Sequence, residues 1–104
     1  MITVNVLYRH SDSIRFNMNY YLDTHMPMIS KLLGSALKGV LVQQGIAGGP
    51  PGSPPEFAVI TVLRFESMET FQAAFQPHAP AVMADIVNFT TTQPSIQFSE
   101  VRLD

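Results

Sequence analysis

The sequence FAVITVLRF at residues 57–65 decides the fold, because it is the strongest strand signal in the chain. Its β-branched and aromatic side chains are typical of a strand. Apolar side chains point to both faces: Phe57, Val59, Leu63 and Phe65 to one, and Ala58, Ile60 and Val62 to the other. An antiparallel sheet with helices on one face and water on the other should alternate apolar and polar residues. We therefore expect both faces of this strand to be covered.

Working outward from this strand, the chain alternates strand and helix signals in the order β-α-β-β-α-β. Strands are expected at residues 2–8, 37–46, 57–65 and 95–103. The first helix is expected at residues 14–24, capped by Ser11, Asp12 or Ser13, with a break at Pro27 and a short helical segment ending at Gly34. The second is expected from a cap at Ser67, with breaks at Pro77 and Pro80 and a further piece over residues 81–89.

This element order predicts one α+β domain spanning residues 1–104. It is the order of the ferredoxin-like fold, a four-stranded antiparallel sheet with helices on one face. Residues 47–56 are dense in Gly and Pro, and they predict an exposed hairpin loop between the second and third strands.

The composition excludes several classes of function. The 104 residues carry a formal net charge of −2, which gives no basis for holding a nucleic acid backbone or an anionic membrane surface. No stretch approaches 18 uninterrupted apolar residues, and the N-terminus lacks the pattern of a secretory signal. With no cysteine and no histidine pair at ligand spacing, we expect neither a metal site nor a cofactor. A cytoplasmic location is expected.

Low charge combined with the two-sided strand predicts a homodimer. Only 13% of the residues are charged, whereas 46% are hydrophobic. A small domain with so little charge tends to have part of its surface hidden by a partner. Because twofold dimers dominate among oligomers, we expect two copies to meet through the sheet face that the helices leave bare.

One polar and aromatic stripe carries the candidate chemistry. Asn17, Tyr20, Tyr21, Thr24 and His25 follow i, i+3, i+4, i+7, i+8 spacing, which places them on one helical face. Such a face suits a pocket in which apolar bodies shape a cavity and polar tips orient a ligand. The alternative is structural: the tyrosines are core aromatics with hydroxyls at the surface, and His25 caps the broken helix. His10 and His78 lie in expected loops.

The stripe and its surroundings resemble a known family. Phe16-x3-Tyr20-Tyr21-x3-His25-Met26-Pro27-Met28-Ile29 up to Gly34, then Arg64-Phe65-Glu66-Ser67-Met68-Glu69 and Asp85-x3-Phe89, are similar to the signature of the EthD family, named after ethyl tert-butyl ether degradation. Members often carry Trp where this chain has Tyr21. The resemblance implies a dimeric α+β barrel with a cleft between sheet and helices. Relatives in that superfamily include lactone isomerases, cofactor-free monooxygenases and polyketide cyclases, and the family's namesake accompanies an oxidative ether-degrading pathway.

Two functions are compatible with these residues. The first is cofactor-free proton transfer on a small apolar or aromatic molecule, of the isomerase, cyclase or monooxygenase kind, with His25 as acid or base and Tyr20 or Tyr21 on the substrate oxygen. The expected pocket also includes Phe16, Asn17, Met28 and Phe71. The second is a non-catalytic accessory or binding protein of an oxidative catabolic pathway. A second titratable group beside His25 would distinguish them.

Overall fold

The computed structural model describes all 104 residues and contains four strands in one antiparallel sheet. The strands are β1 (Ile2–Arg9), β2 (Gly39–Gln44), β3 (Phe57–Phe65) and β4 (Ser95–Glu100). Their order across the sheet is β2-β3-β1-β4, so the first strand lies between the third and the last. The predicted α+β, ferredoxin-like fold is confirmed, with β2 and β4 shorter than expected. None of the helices is long and apolar enough to cross a membrane.

The first helical segment runs without interruption over residues 18–33. It consists of α1 (Met18–Tyr20), a π-helix (Tyr21–His25) and α2 (Met26–Leu33). Asn17 caps it, its side-chain oxygen accepting from the Tyr20 N–H at 3.0 Å. The expected start at residue 14 is wrong, because the chain at Phe16 is extended and bridges Thr90.

The expected short helical segment that begins at Pro27 and stops at Gly34 is confirmed as α2, but the chain enters it without the expected break, and the π-helix is the reason. In a continuous α-helix the proline ring collides with the carbonyl four residues earlier. Here the Met26 N–H bonds instead to the Tyr21 carbonyl, five residues back, which widens the turn before the proline. Pro27 then lies in the first turn of α2, where its missing N–H is not needed.

The second helical segment covers residues 68–88 and is built from tighter turns. It contains α3 (Met68–Phe75), a 3₁₀ turn (Gln76–His78), α4 (Ala79–Asp85) and a second 3₁₀ turn (Ile86–Asn88). The predicted cap at Ser67 is confirmed, with its hydroxyl accepting from the Thr70 N–H at 3.1 Å. Pro77 and Pro80 occupy first-turn positions of the pieces that follow them.

The Gly- and Pro-rich residues 47–56 form the exposed connection between β2 and β3, as predicted. Ser53 holds the loop tip, because its hydroxyl donates to the Pro50 carbonyl at 2.7 Å and its backbone carbonyl accepts from the Gly48 N–H at 3.0 Å. Gly52 has φ +78°, a backbone conformation that favours glycine at this turn.

The two faces of the sheet differ in cover. The helices bury the face that carries Val59, Thr61, Leu63 and Phe65 of β3. On the opposite face, the pairing register groups Leu7, Leu41, Ile60 and Val62 into an apolar half, and Thr3, Asn5, Gln97 and Ser99 into a polar half. The Asn5 amide bonds to Thr3, Ser99 and the Gln97 carbonyl at 3.1–3.2 Å. The bare face is therefore apolar over only half its width, which the sequence of β3 alone does not reveal.

Candidate functional site

A cavity of about 350 Å³ lies between the sheet and the helices. Fourteen of its sixteen lining residues are hydrophobic, contributed by β1, β3, β4, both helical segments and the approach to β4. Three lining residues are about half exposed, namely Met83 (52%), Ile96 (49%) and Phe98 (46%). The cavity therefore opens to solvent beside the edge strand β4, through an apolar mouth.

The first helical segment lines this cavity with every fourth residue: Tyr21, His25, Ile29 and Leu33. In a regular α-helix each four-residue step overshoots a full turn by about 40°, so such a set drifts around the helix. The π-helix contains the first step of the series, Tyr21 to His25, and its wider turn reduces that drift. The two rings stack at 5.4 Å between centroids with 18° between their planes. The widened turn thus places a phenol and an imidazole side by side on the cavity wall.

His25 is buried and held by a carboxylate. The residue is 2% exposed, and its Nδ1 lies 2.7 Å from Oδ2 of Asp85 on α4. A carboxylate at that distance requires Nδ1 to carry the proton and donate it. The other nitrogen, Nε2, has no partner in the protein. Because every side-chain nitrogen or oxygen sealed from solvent has a hydrogen-bond partner, Nε2 must open into the cavity that His25 lines.

Asp85 joins the two helical segments. Its Oδ1 accepts from the Tyr20 hydroxyl at 2.7 Å and from the Asn88 amide at 3.0 Å, while its Oδ2 faces His25. Burial raises the pKa of Asp85, but hydrogen bonds from Tyr20, Asn88 and His25 outweigh it, and the pKa lies below its usual value. The same bond to Asp85 raises the pKa of Tyr20. The carboxylate therefore stays charged and fixes the imidazole tautomer.

Two buried phenols line the same cavity as the imidazole, Tyr21 stacked on His25 and Tyr8 packed edge-on against Tyr21. The Tyr21 hydroxyl and the Thr61 hydroxyl are 2.6 Å apart. Burial raises the pKa of Tyr21 despite hydrogen bonds that lower it. Burial also raises the pKa of Tyr8, and the neighbouring Tyr21 phenol adds to the effect. Both tyrosines line the cavity and both are neutral, so the cavity offers hydroxyl groups rather than charges.

Phe89 packs all these groups together. It is 3% exposed and lies directly after the second helical segment. Its ring centroid is 4.5 Å from that of His25 and 4.9 Å from that of Tyr21. It also contacts the rings of Tyr8, Phe16 and Tyr20 at 5.3–6.3 Å. This cluster holds the imidazole in one orientation.

The structure brings only some of the predicted site residues to the cavity. Tyr21, His25 and Phe71 line it. Tyr20 lies outside it, half-buried, and reaches His25 only through Asp85. Asn17 caps the helix and borders, with Phe16, a separate open depression. Met28 packs against the core without lining the cavity.

The expectation that residues 17–25 present one polar stripe is wrong, because the π-helix changes the angular position of each side chain and leaves Thr24 exposed. Sequence reasoning also missed Tyr8 and Asp85. Tyr8 is the last residue of the expected first strand, and nothing in that strand pattern marks it as part of a site. Asp85 belongs to the motif Asp85-x3-Phe89, but nothing in its spacing from His25 indicates their contact. No three His, Asp or Glu residues lie close enough together to hold a metal ion.

The fold and the site define a class of protein: an α+β domain with one cavity between an antiparallel sheet and its helices, carrying a carboxylate-bound histidine. The chain belongs to the EthD family, whose domain model matches residues 16–93.

Two solved structures are similar to this chain. An EthD-like protein from Ralstonia eutropha is 40% identical over 99% of this chain and 93% of its own, with a TM-score of 0.94. An ethyl tert-butyl ether degradation (EthD) family protein from Bacillus halodurans shares the fold at 21% identity, a TM-score of 0.74 and coverage of 97% and 98%. No curated protein is significantly similar to the chain.

Proposed function

We propose that this EthD-family protein binds a small apolar or aromatic molecule in the cavity and transfers a proton on it without a cofactor, with His25 as the acid and base. The observation that carries the proposal is the 2.7 Å contact between His25 Nδ1 and Asp85 Oδ2 at the wall of an apolar cavity. A histidine that serves only packing does not require a charged partner at Nδ1 or an accessible Nε2.

The geometry supports a simple reaction. Nε2 of the neutral imidazole accepts a proton from an acidic C–H next to a ligand carbonyl, and the electron pair of that bond moves onto the carbonyl oxygen to give an enolate. The imidazolium that forms is stabilised by Asp85, and a neutral phenol stabilises the oxygen anion. In a ligand with a C=C bond conjugated to the enolate, return of the proton to the far carbon of that bond gives an isomer, and return to the same carbon gives exchange with solvent. Neither step needs a metal or an organic cofactor.

Proton exchange on a model ketone tests this proposal directly. 2-Indanone is neutral, contains two fused rings and has acidic protons next to its carbonyl. We expect the protein in D₂O to accelerate deuterium incorporation at those carbons, followed by NMR. His25→Ala should lose most of that acceleration, on the order of 100-fold or more. Asp85→Asn should fall between His25→Ala and the unsubstituted protein, because it removes the tautomer control and leaves Nε2 in place.

His10→Ala provides the matched control, because it removes an imidazole that does not line the cavity. It should leave exchange unchanged. If 2-indanone binds but exchange equals that in buffer, proton transfer is wrong and the non-catalytic binding or accessory role is the better description. If His25→Ala exchanges as fast as the unsubstituted protein, another group is the base.

We also propose that two copies pair through the bare sheet face. The support is its apolar half, where Leu41 is 54% exposed and pairs with Val62, and where Ile60 lies two residues from Val62 on the same face of β3. Light scattering coupled to size-exclusion chromatography should give twice the 11.5 kDa chain mass at micromolar concentration. Val62→Lys should shift the mass towards the monomer or precipitate the protein, whereas Gln72→Lys, on the exposed side of α3, should not. A dimer unaffected by Val62→Lys would place the interface elsewhere.

A further inference from the structure

We propose that the Tyr8 phenol is the hydrogen-bond donor that selects the ligand, and that the cavity takes neutral molecules of one or two rings with a single hydroxyl or carbonyl oxygen and rejects carboxylates. This inference rests on the proposed binding function and goes beyond it in naming the selecting residue and the ligand's charge.

Tyr8 is placed as a binding group rather than as a packing aromatic. It is 1% exposed on β1 and lies opposite Val59 of β3, while the pairing of β1 with β4 ends one residue earlier, at Leu7. Its ring lines the cavity and contacts Tyr21 edge-on at 6.0 Å. Pairing with β3 and edge-on contacts with the rings of Phe16, Tyr21 and Phe89 therefore hold the phenol in one position, which a ligand-orienting group requires.

The hydroxyl of Tyr8 has spare hydrogen-bonding capacity. The Tyr21 hydroxyl is satisfied by Thr61 at 2.6 Å. The Tyr8 hydroxyl has no partner in the protein except the neighbouring Tyr21 phenol. Because no fully sealed side-chain oxygen lacks a partner, the Tyr8 hydroxyl either keeps that partner or opens into the cavity. In the first arrangement a ligand oxygen replaces Tyr21 as the acceptor of this proton, and in the second the proton bonds directly to a ligand oxygen, so Tyr8 is the donor that remains available to a ligand.

The cavity lining explains the preference for neutral ligands. None of the sixteen lining residues is Lys, Arg, Asp or Glu. A protonated His25 gives no net positive charge, because Asp85 balances it at 2.7 Å. A carboxylate would lose its hydration without gaining a cation, which is strongly unfavourable in an apolar site. At about 350 Å³ the cavity is at the lower end of small-molecule sites, consistent with one or two rings.

Three two-ring probes test the inference: 2-naphthol, naphthalene and 2-naphthoate. All three share the naphthalene ring system: 2-naphthol carries a hydroxyl group, naphthalene carries no oxygen, and 2-naphthoate carries a carboxylate. The chain has no tryptophan, so probe fluorescence is measured without an indole background. We expect 2-naphthol to bind about 3- to 10-fold tighter than naphthalene, because one additional hydrogen bond typically increases affinity by about that factor. 2-Naphthoate should bind at least roughly 100-fold more weakly than 2-naphthol.

Tyr8→Phe is the decisive variant, because it removes one hydroxyl and keeps the ring. It should lower 2-naphthol affinity to that of naphthalene, leave naphthalene affinity unchanged and keep the melting temperature close to that of the unsubstituted protein. Thr24→Ala removes an exposed hydroxyl next to His25 and should leave the ratio of the two affinities unchanged.

The outcomes separate the inference from the proposed function. If none of the three probes binds, the cavity is not a site for such molecules, and both proposals are wrong. If 2-naphthol and naphthalene bind but Tyr8→Phe leaves their affinity ratio unchanged, the binding function stands and Tyr8 is not the selecting donor. If 2-naphthoate binds as tightly as 2-naphthol, the neutral ligand class is wrong.

Discussion

The two helical segments contain prolines and accommodate them in opposite ways. Residues 18–33 widen one turn into a π-helix before Pro27 and continue directly into α2. Residues 68–88 tighten into 3₁₀ turns around Pro77 and after Asp85. The widened turn places an imidazole and a phenol on the cavity wall. The tightened turns bring a carboxylate back to the first segment, so that one segment supplies the reactive nitrogen and the other its charge partner.

Removal of Phe89 should have the largest effect, because this ring packs the two segments together. We expect Phe89→Ala to lower the free energy of unfolding by about 3–5 kcal/mol, as for other buried phenylalanines. Phe71→Ala is the matched comparison in the second segment. Its ring borders the cavity, so its loss enlarges an existing space and should cost less. Urea unfolding monitored by circular dichroism measures both, and equal losses would contradict the linking role of Phe89.

Asp85→Asn should weaken the bonds that join the two helical segments without disturbing the fold of either segment. We expect a loss of about 1–3 kcal/mol at pH 7, from the weakened bonds to His25 and Tyr20. Because folding lowers the pKa of Asp85, its stabilisation is complete above the ordinary value of 3.8 and is lost as the pH falls through the lower folded value.

The difference between Asp85→Asn and the unsubstituted protein should therefore shrink as the pH is lowered below about 4. Asp23→Asn changes an exposed aspartate of the first segment and should show a small, pH-insensitive difference. A pH-independent deficit for Asp85→Asn would mean that the amide disturbs packing, and that the charge is not what matters.

Two buried tyrosines, Tyr21 in the first helical segment and Tyr8 on β1, should instead make the free energy of unfolding sensitive to alkaline pH. Burial raises the pKa of Tyr8 and Tyr21, so their stabilising effect is complete below the ordinary phenol value of 10.0 and is lost as the pH rises above it. We expect a loss on the order of 1 kcal/mol around pH 10. Phenolate absorbance of these two residues should appear only with unfolding. Titration of all three tyrosines in the folded protein would contradict this expectation.

The smallest effect should come from a region outside both segments. Deleting two residues among 49–52 of the exposed loop should change stability by no more than about 0.5–1 kcal/mol, because shortening a surface loop has a small entropic effect. Thermal unfolding of the shortened chain, with 2-naphthol binding as a second readout, checks this. A large loss would show that the loop packs against one of the segments.

The strands of the sheet could be predicted from the sequence. Which side chains of the first helical segment face the cavity could not. The run of β-branched and aromatic residues predicted β3 at its correct bounds, and Ser67 was predicted as a cap, because these signals are local. His25 was identified from its neighbours along one expected helix face. The sequence left open whether Tyr20 or Tyr21 faces the cavity, and the π-helix over Tyr21–His25 determines that it is Tyr21. Asp85 lies 60 residues from His25, and such a contact depends on packing that no local pattern encodes.

Because the cavity exists only in the folded chain, the free energy of unfolding should rise when a ligand binds there, and a stability measurement therefore detects ligand binding. A molecule that binds only the folded chain raises the free energy of unfolding by mass action, by about 2.7 kcal/mol at a hundred times its dissociation constant. For a chain of 104 residues each kcal/mol raises the melting temperature by roughly 4–8 °C. A thermal-shift screen of small ring compounds, with Tyr8→Phe and His25→Ala run in parallel, would therefore rank candidate ligands before any reaction has been assigned.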